Sequence, residues 1–424
     1  MTQEVEICLF LDSRFWHKKR SIISLYHQLL HKKVRFVRSE EAADITVVFS
    51  PKLKTTFSVE REDPLLILAG DPVSAFQGVM YAARHFRTGR RLALGEKIPR
   101  LAERIIMLDI GRKYFSPSFL RQLLDEMALF GFNYLQLHFS ENTGLRIESE
   151  SYPELVSEEH LTREEIRALI HYAADRCIEI IPDLDTPGHM EHLLKNYPEW
   201  QLEEQTDYGR QSVPAALDIT NQDAIAFVFS LYREYFELFS TSRYFHIGAD
   251  EFIDLDHLAR YPALANNGQE KFEAYVNSVA ALVRQAGFIP RIWNDAFFRR
   301  GENSGLSKEL EITYWTKWQR EMAPIQRFLE EGYTVINFND NYLYYVLGEN
   351  AGYSYPTAHK IEKQWQPELF SSEQLIDITN HEQLKGAAVA VWCDQPEAKE
   401  EKSVLIDLIE LMEAFSAHIY LNKK

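Results

Sequence analysis

Two rhythms of apolar residues divide the chain. From about residue 100 onward, apolar runs of strand length end in polar residues and alternate with segments of helical period. The runs are IIMLDIGR from Ile105, FNYLQLHFS from Phe132, IEIIPDLD from Ile178, YFHIGADE from Tyr244, IPRIWND from Ile289, EITYW from Glu311, TVINFND from Thr334 and GAAVAVWCD from Gly386. Helical spacing fills 116–131, 163–177, 221–239, 271–287 and 399–415. Eight strand-then-helix units over this length predict a (β/α)8 TIM barrel, whose strands are buried on both faces and so read as continuous apolar runs.

Ahead of it, VEICLFL, DITVVF and PLLILAG read as strands and SIISLYHQLLHK and DPVSAFQGVMYAARHF as helices, a small α/β (α+β) layer. The segment 87–103 is rich in charge, Gly and Pro and has no long apolar period. The expected division is therefore 1–99 as a small non-catalytic domain and 100–424 as the barrel, an α/β chain of two units.

Composition removes several classes of function. Of 424 residues, 63 are acidic and 46 basic, a net charge of −17, without the clustered Lys and Arg that nucleic acid or an anionic membrane surface requires. Three cysteines, Cys8, Cys177 and Cys393, form no paired framework and no CxxC. The opening MTQEVEICLFLD lacks a basic leading region and its apolar stretch is too short for a signal segment or a span, so a cytoplasmic location is expected. There is no HxH or HExxH element, and neither a metal nor another cofactor is expected. Monomer and homodimer are not distinguished.

Candidate chemistry sits at the ends of the predicted strands: Asp109 and Arg112, His138 and Glu141, Asp185 and His189, His246, Asp250 and Glu251, Trp293 and Asp295, Trp315, Asn339 and Asp340, Trp392 and Asp394. In a barrel all these ends meet at one mouth. The adjacent acids of HIGADE, 246–251, are the sharpest signal, because two carboxylates in one cleft are the usual equipment for breaking a glycosidic bond. Trp293, Trp315, Trp318, Tyr342 and Trp392 add rings that can wall a pocket against the apolar face of a sugar or a methyl group.

On these motifs the sequence resembles glycoside hydrolase family 20, the β-N-acetylhexosaminidases. The matching segments are LDIGRKYF (108–115), LHFSENTGLRIESESYPEL (137–155), IPDLDTPGHMEHL (181–193), HIGADE, IWND (292–295), TYW (313–315) and VWCD (391–394). The resemblance implies an exo-acting, retaining hydrolase in which the substrate's own 2-acetamido group is the nucleophile. Its substrate would be an oligosaccharide or glycoconjugate ending in N-acetylhexosamine.

By that resemblance Glu251 is the general acid and base, with a raised pKa, and Asp250 is the ionised carboxylate that holds the acetamido N–H and stabilises the oxazolinium. His189 and Glu141 support the acid, Glu141 standing where the family more often has Asp. Arg112 grips ring hydroxyls, Trp293, Trp315 and Trp392 line the acetamide methyl pocket, and Tyr342 donates to the acetamide oxygen. Asp394 replaces the usual Glu at a distal hydroxyl, and Tyr344 stands where a carboxylate commonly follows the key tyrosine. Two rivals share the motifs: a relative releasing another β-linked amino sugar or a disaccharide, and a silent carbohydrate-binding barrel.

Overall fold

The computed structural model describes residues 6–377 and 382–421. Residues 1–5, on which part of the reading of the N-terminus rests, lie outside them.

The barrel closes as the sequence pattern predicts. Its strands, first to eighth, are Glu103–Asp109, Tyr134–His138, Glu179–Thr186, Tyr244–Gly248, Ile289–Trp293, Glu311–Tyr314, Val335–Asn337 and Leu384–Trp392. Each pairs in parallel with the next, and the eighth pairs with both the seventh and the first. The helices that follow have clear local causes. Pro117–Phe130 starts at a Ser116 cap with Pro in its first turn and stops at Gly131, which is left-handed; Arg163–Asp175 starts with a Thr162/Glu165 capping box. Their apolar faces pack outward of the sheet, so the sheet is buried on both sides.

The floor of the barrel holds a charge cluster. Arg291 is fully buried, with Nη2 2.6 Å from Glu103 and 2.8 Å from Glu311, its guanidinium carbon 3.6 Å from the Tyr244 ring centroid. Lys385 joins the same two acids. These groups sit at the starts of the strands, away from the mouth.

The N-terminal region is a seven-stranded sheet in the order Lys33–Phe36, Glu6–Leu11, Ile45–Phe49, Leu65–Ala69, Phe57–Glu62, Gly95–Pro99, Tyr420–Leu421. Its seventh strand comes from the far end of the chain, residues that the sequence pattern assigns to the barrel unit. Tyr420 packs edge-on against Phe57 and Tyr81, at 5.7 and 5.9 Å between centroids, which fastens that end to the sheet. No described helix is long and apolar enough to cross a membrane.

Candidate active site

All eight strand ends deliver side chains to one cavity of about 540 Å³. In chain order its wall takes Arg112, Glu141, His189, the pair Asp250 and Glu251, then Trp293, Trp315, Tyr344, Trp392 and Asp394.

Tight backbone turns place the polar half. His189, Ala249 and Glu251 have φ of 55°, 73° and 43°, a region that costs a side-chain-bearing residue about 1–3 kcal/mol and that folds retain mostly at functional sites. Gly248, at φ 73°, has no such freedom to change: a Cβ there would sit 1.6 Å from Asp185 Oδ1. A side chain at the HIGADE glycine would thus displace Asp185.

A chain of charges runs through this half. His189 Nδ1 is 2.7 Å from Glu141 Oε1, and its Nε2 is 3.6 Å from Asp250 and 3.5 Å from Glu251. Arg112 reaches Glu141 at 2.5 Å and Asp109 at 2.8 Å. Burial would raise the pKa of Glu141, but His189, Arg112 and His138 outweigh it and hold the carboxyl at about 2. For His189 burial pulls down, and the facing carboxylates Glu141 and Asp250 push its pKa well above the ordinary histidine value. The ring is therefore a cation pointed at the acidic pair.

The acids themselves run opposite to the expectation from sequence. Glu251, half-exposed, is held below its ordinary value, chiefly by the His189 imidazole, whose Nε2 lies 3.5 Å away. Asp250 is raised, first by burial and then by the charge of Glu251, with His189 opposing. Burial and the charge of Asp250 also raise Asp185 well above its usual range. Asp295, pushed up to about 7 by burial and by Asp250, accepts from Trp315 Nε1 at 3.0 Å and from the Glu251 backbone N–H at 3.1 Å. One side chain thereby ties the acid to the aromatic wall.

Asp185, His189 and Asp250 bring one donor atom each within 4.8 Å of one another.

Aromatic rings form the other half. Trp315 and Tyr344 lie parallel, 1° between planes and 5.9 Å between centroids; Trp392 stands 6.0 Å from Tyr344 and 5.9 Å from Trp293. Beneath them His246 packs on Trp293 at 4.6 Å and His138 on Trp392 at 5.1 Å, both imidazoles held by Asp183 at 3.2 Å. This is a pocket of aromatic faces beside a carboxylate pair.

With this geometry the family can be stated. The model of the catalytic domain of glycosyl hydrolase family 20 matches residues 103–406. The chain belongs to glycosyl hydrolase family 20.

Among curated relatives, a lacto-N-biosidase of Bifidobacterium bifidum is 27% identical over 365 residues, covering 83% of this chain and 32% of that protein. A β-hexosaminidase of Akkermansia muciniphila is 27% identical over 272 residues, covering 58% of this chain and 54% of that one. The chain thus spans about a third to a half of these relatives. A β-N-acetylhexosaminidase from Bacteroides fragilis shares the fold with a TM-score of 0.75 at 20% identity, over 99% of this chain and 88% of that one. Dispersin B superposes with a TM-score of 0.62 at 25% identity, over 75% of this chain and 99% of that one.

Within this family 20 site one assignment from the resemblance needs correction. Tyr342 does not face the cavity; its hydroxyl donates to Glu373 at 3.0 Å. Tyr344, 4% exposed, is in the wall instead, as is Tyr353, and the residue two beyond Tyr344 is Val346, also in the wall. The cause is local: Asp340–Leu343 forms a single helical turn, and the strand Tyr344–Val346 then pairs with the eighth barrel strand, aiming Tyr344 inward. The contact expected of a carboxylate near Tyr344 is thus an apolar Val346.

Asn339 is consumed by backbone contacts, its Nδ2 donating to the Leu369 carbonyl, whereas Asp340 lines the cavity and accepts from Tyr353 at 3.1 Å. Tyr353 and the structural role of Asp295 were missed. Tyr353 lies in a loop without periodicity, and Asp295 gave only the signal of an acid at a strand end.

Proposed function

We propose that the protein is an exo-acting, retaining β-N-acetylhexosaminidase that releases terminal β-linked GlcNAc or GalNAc with the acetamido group as nucleophile. The observation that carries this reading is the juxtaposition of the Asp250/Glu251 pair with the cage of Trp293, Trp315, Tyr344 and Trp392 in one cavity. An N-acetyl methyl fits among aromatic faces, while its N–H needs an acceptor and its oxygen a donor. Asp250 is that acceptor and the Tyr344 hydroxyl that donor.

In this reading substrate reverses the shifts of both acids. As the acetamide oxygen attacks the anomeric carbon, positive charge develops beside Asp250, which favours its ionised form and counters the burial that now raises it. Glu251 is half-exposed. A leaving sugar that covers it removes water and lifts its pKa toward that of a working acid, against the pull of His189. Arg112 and Asp394 fall to the ring hydroxyls, with Arg112 already oriented by Asp109 and Glu141.

The test is hydrolysis of aryl β-glycosides of GlcNAc, GalNAc and glucose with and without a thiazoline inhibitor. Turnover confined to the acetamido sugars and blocked by the thiazoline is expected. Activity on the plain glucoside would overturn acetamide assistance. Release of a terminal disaccharide is the second reading, favoured by the likeness to a lacto-N-biosidase and by the short Asp394 at the wall; it predicts turnover of a disaccharide aryl glycoside and silence on the monosaccharides.

A further inference from the structure

A second depression shares the loop of residues 317–324 with the cavity. It encloses about 430 Å³ and is lined by Arg300, Lys317, Arg320 and Glu321, among others. The loop after the sixth barrel strand builds both sites. Lys317 and Arg320 face the depression, while Trp318 between them lines the catalytic cavity and is 60% exposed.

The charge here runs against that of the protein. Three of the residues lining the depression, Arg300, Lys317 and Arg320, are basic and one, Glu321, is acidic, in a chain whose net charge is −17. Asp256 is engaged, with Arg299 at 2.5 Å and Arg300 at 3.1 Å. Among the described residues neither Lys317 nor Arg320 forms an ion pair. Two cations are therefore available on a protein that would otherwise repel anions.

The position relative to Glu251 fixes which part of a glycan reaches it. A general acid faces the glycosidic oxygen, so the leaving portion departs past Glu251. The Glu251 backbone N–H is bound by Asp295, the carbonyl of Asp295 accepts from Arg299 at 3.0 Å, and Arg300 follows. Asp295 thus links Glu251 to Arg299 and Arg300, and Trp318, which lines the same cavity as Glu251 and offers a ring face on which a further sugar could stack, carries Lys317 and Arg320 on either side of it in the loop.

We propose that Trp318, Lys317, Arg320 and Arg300 form a leaving-group subsite that selects glycans carrying a carboxylate or sulfate on the portion released. The proposal rests on the hexosaminidase reading, so its test separates the two. Three disaccharides are compared, GlcNAc β-linked to glucuronate, to 6-O-sulfoglucose and to glucose, beside 4-nitrophenyl β-N-acetylglucosaminide, which is too short to reach the depression.

The anionic disaccharides are expected to have kcat/KM about fivefold above the neutral one at low salt, the advantage fading toward none at high salt. Lys317→Gln/Arg320→Gln is expected to remove the preference and leave the nitrophenyl glycoside unchanged. Preference for only one of the two anions identifies which anion the subsite takes. Equal kcat/KM for acidic and neutral disaccharides, or a preference that persists in the double variant, overturns the proposal. Calorimetric titration of the same disaccharides into Glu251→Gln reads the subsite without turnover. No turnover of the nitrophenyl glycoside would strike the hexosaminidase reading, while the calorimetric comparison would still decide for or against the cationic platform.

Discussion

Replacing Glu141 with Gln tests the charge network behind the acidic pair, and its magnitude can be worked out. Glu141 is 1% exposed and sits 2.7 Å from His189 Nδ1 and 2.5 Å from Arg112. Its neighbours overcome burial and hold its pKa at about 2 against an ordinary 4.5, which corresponds to about 3 kcal/mol of folding stability. Because the folded-state pKa is the depressed one, this stability is complete above pH 4.5 and is lost as pH falls toward 2. About 2 of the 3 kcal/mol is gone by pH 3. His189 has the raised pKa of the pair, so its share is present below 6.5 and lost as pH rises through its folded value. It is the same contact seen from the other partner and counts once.

Gln keeps the shape and removes the charge. Urea unfolding across a pH series is expected to show Glu141→Gln less stable than the parent by about 3 kcal/mol at pH 6, narrowing to about 1 kcal/mol at pH 3. Without its anion, His189 also loses its proton at lower pH, and Glu251 loses a charged donor. The alkaline limb of the kcat/KM profile, set by the general acid Glu251, should then move to higher pH. A stability difference independent of pH would refute the network as the source of the depressed pKa.

Other expectations separate the roles of single side chains. Tyr344→Phe should lower kcat/KM by about 10- to 100-fold and Tyr342→Phe by less than about twofold; the reverse order would return the role to Tyr342. Glu251→Gln should cost about 10²–10⁴ in rate on glycosides with poor leaving groups and much less on activated aryl ones, and equal losses on both would reject acid catalysis by Glu251. Asp250→Asn should weaken inhibition by a thiazoline, the mimic of the cationic intermediate, and unchanged inhibition would remove Asp250 from that role. At the barrel floor, Arg291→Met leaves Glu103 and Glu311 buried with only Lys385, so urea unfolding should register a loss of about 3–5 kcal/mol; a loss below about 1 kcal/mol would show that Lys385 alone neutralises them.

The residues of the cavity were legible to different degrees, and the differences have physical causes. Trp293, Trp315 and Trp392 end buried strands, where a period of two and the closure of the barrel aim successive side chains predictably. Tyr342 and Tyr344 also differ by two, but a helical turn intervenes between them, and only the pairing of Tyr344–Val346 with the eighth strand determines which ring faces inward. The pKa order of the acids was likewise hidden. Spacing places Asp250 and Glu251 together, but the direction of each shift depends on how deeply each is buried and on where the imidazole of His189 points.

Taken alone, the sequence determined the alternation of buried strands and amphipathic helices, hence the barrel and the gathering of strand-end chemistry at one mouth, because periodicity is a local property that survives without coordinates. It also showed which residue types were available there. Only the tertiary structure decided that Tyr420–Leu421 completes the N-terminal sheet, that Asp185 and Asp250 share one buried environment, and that Lys317 and Arg320 flank the cavity beside Trp318. The first two depend on contacts between segments far apart in the chain, where distance and dielectric surroundings, not residue identity, set the energy, and the third on how one loop folds against the barrel mouth.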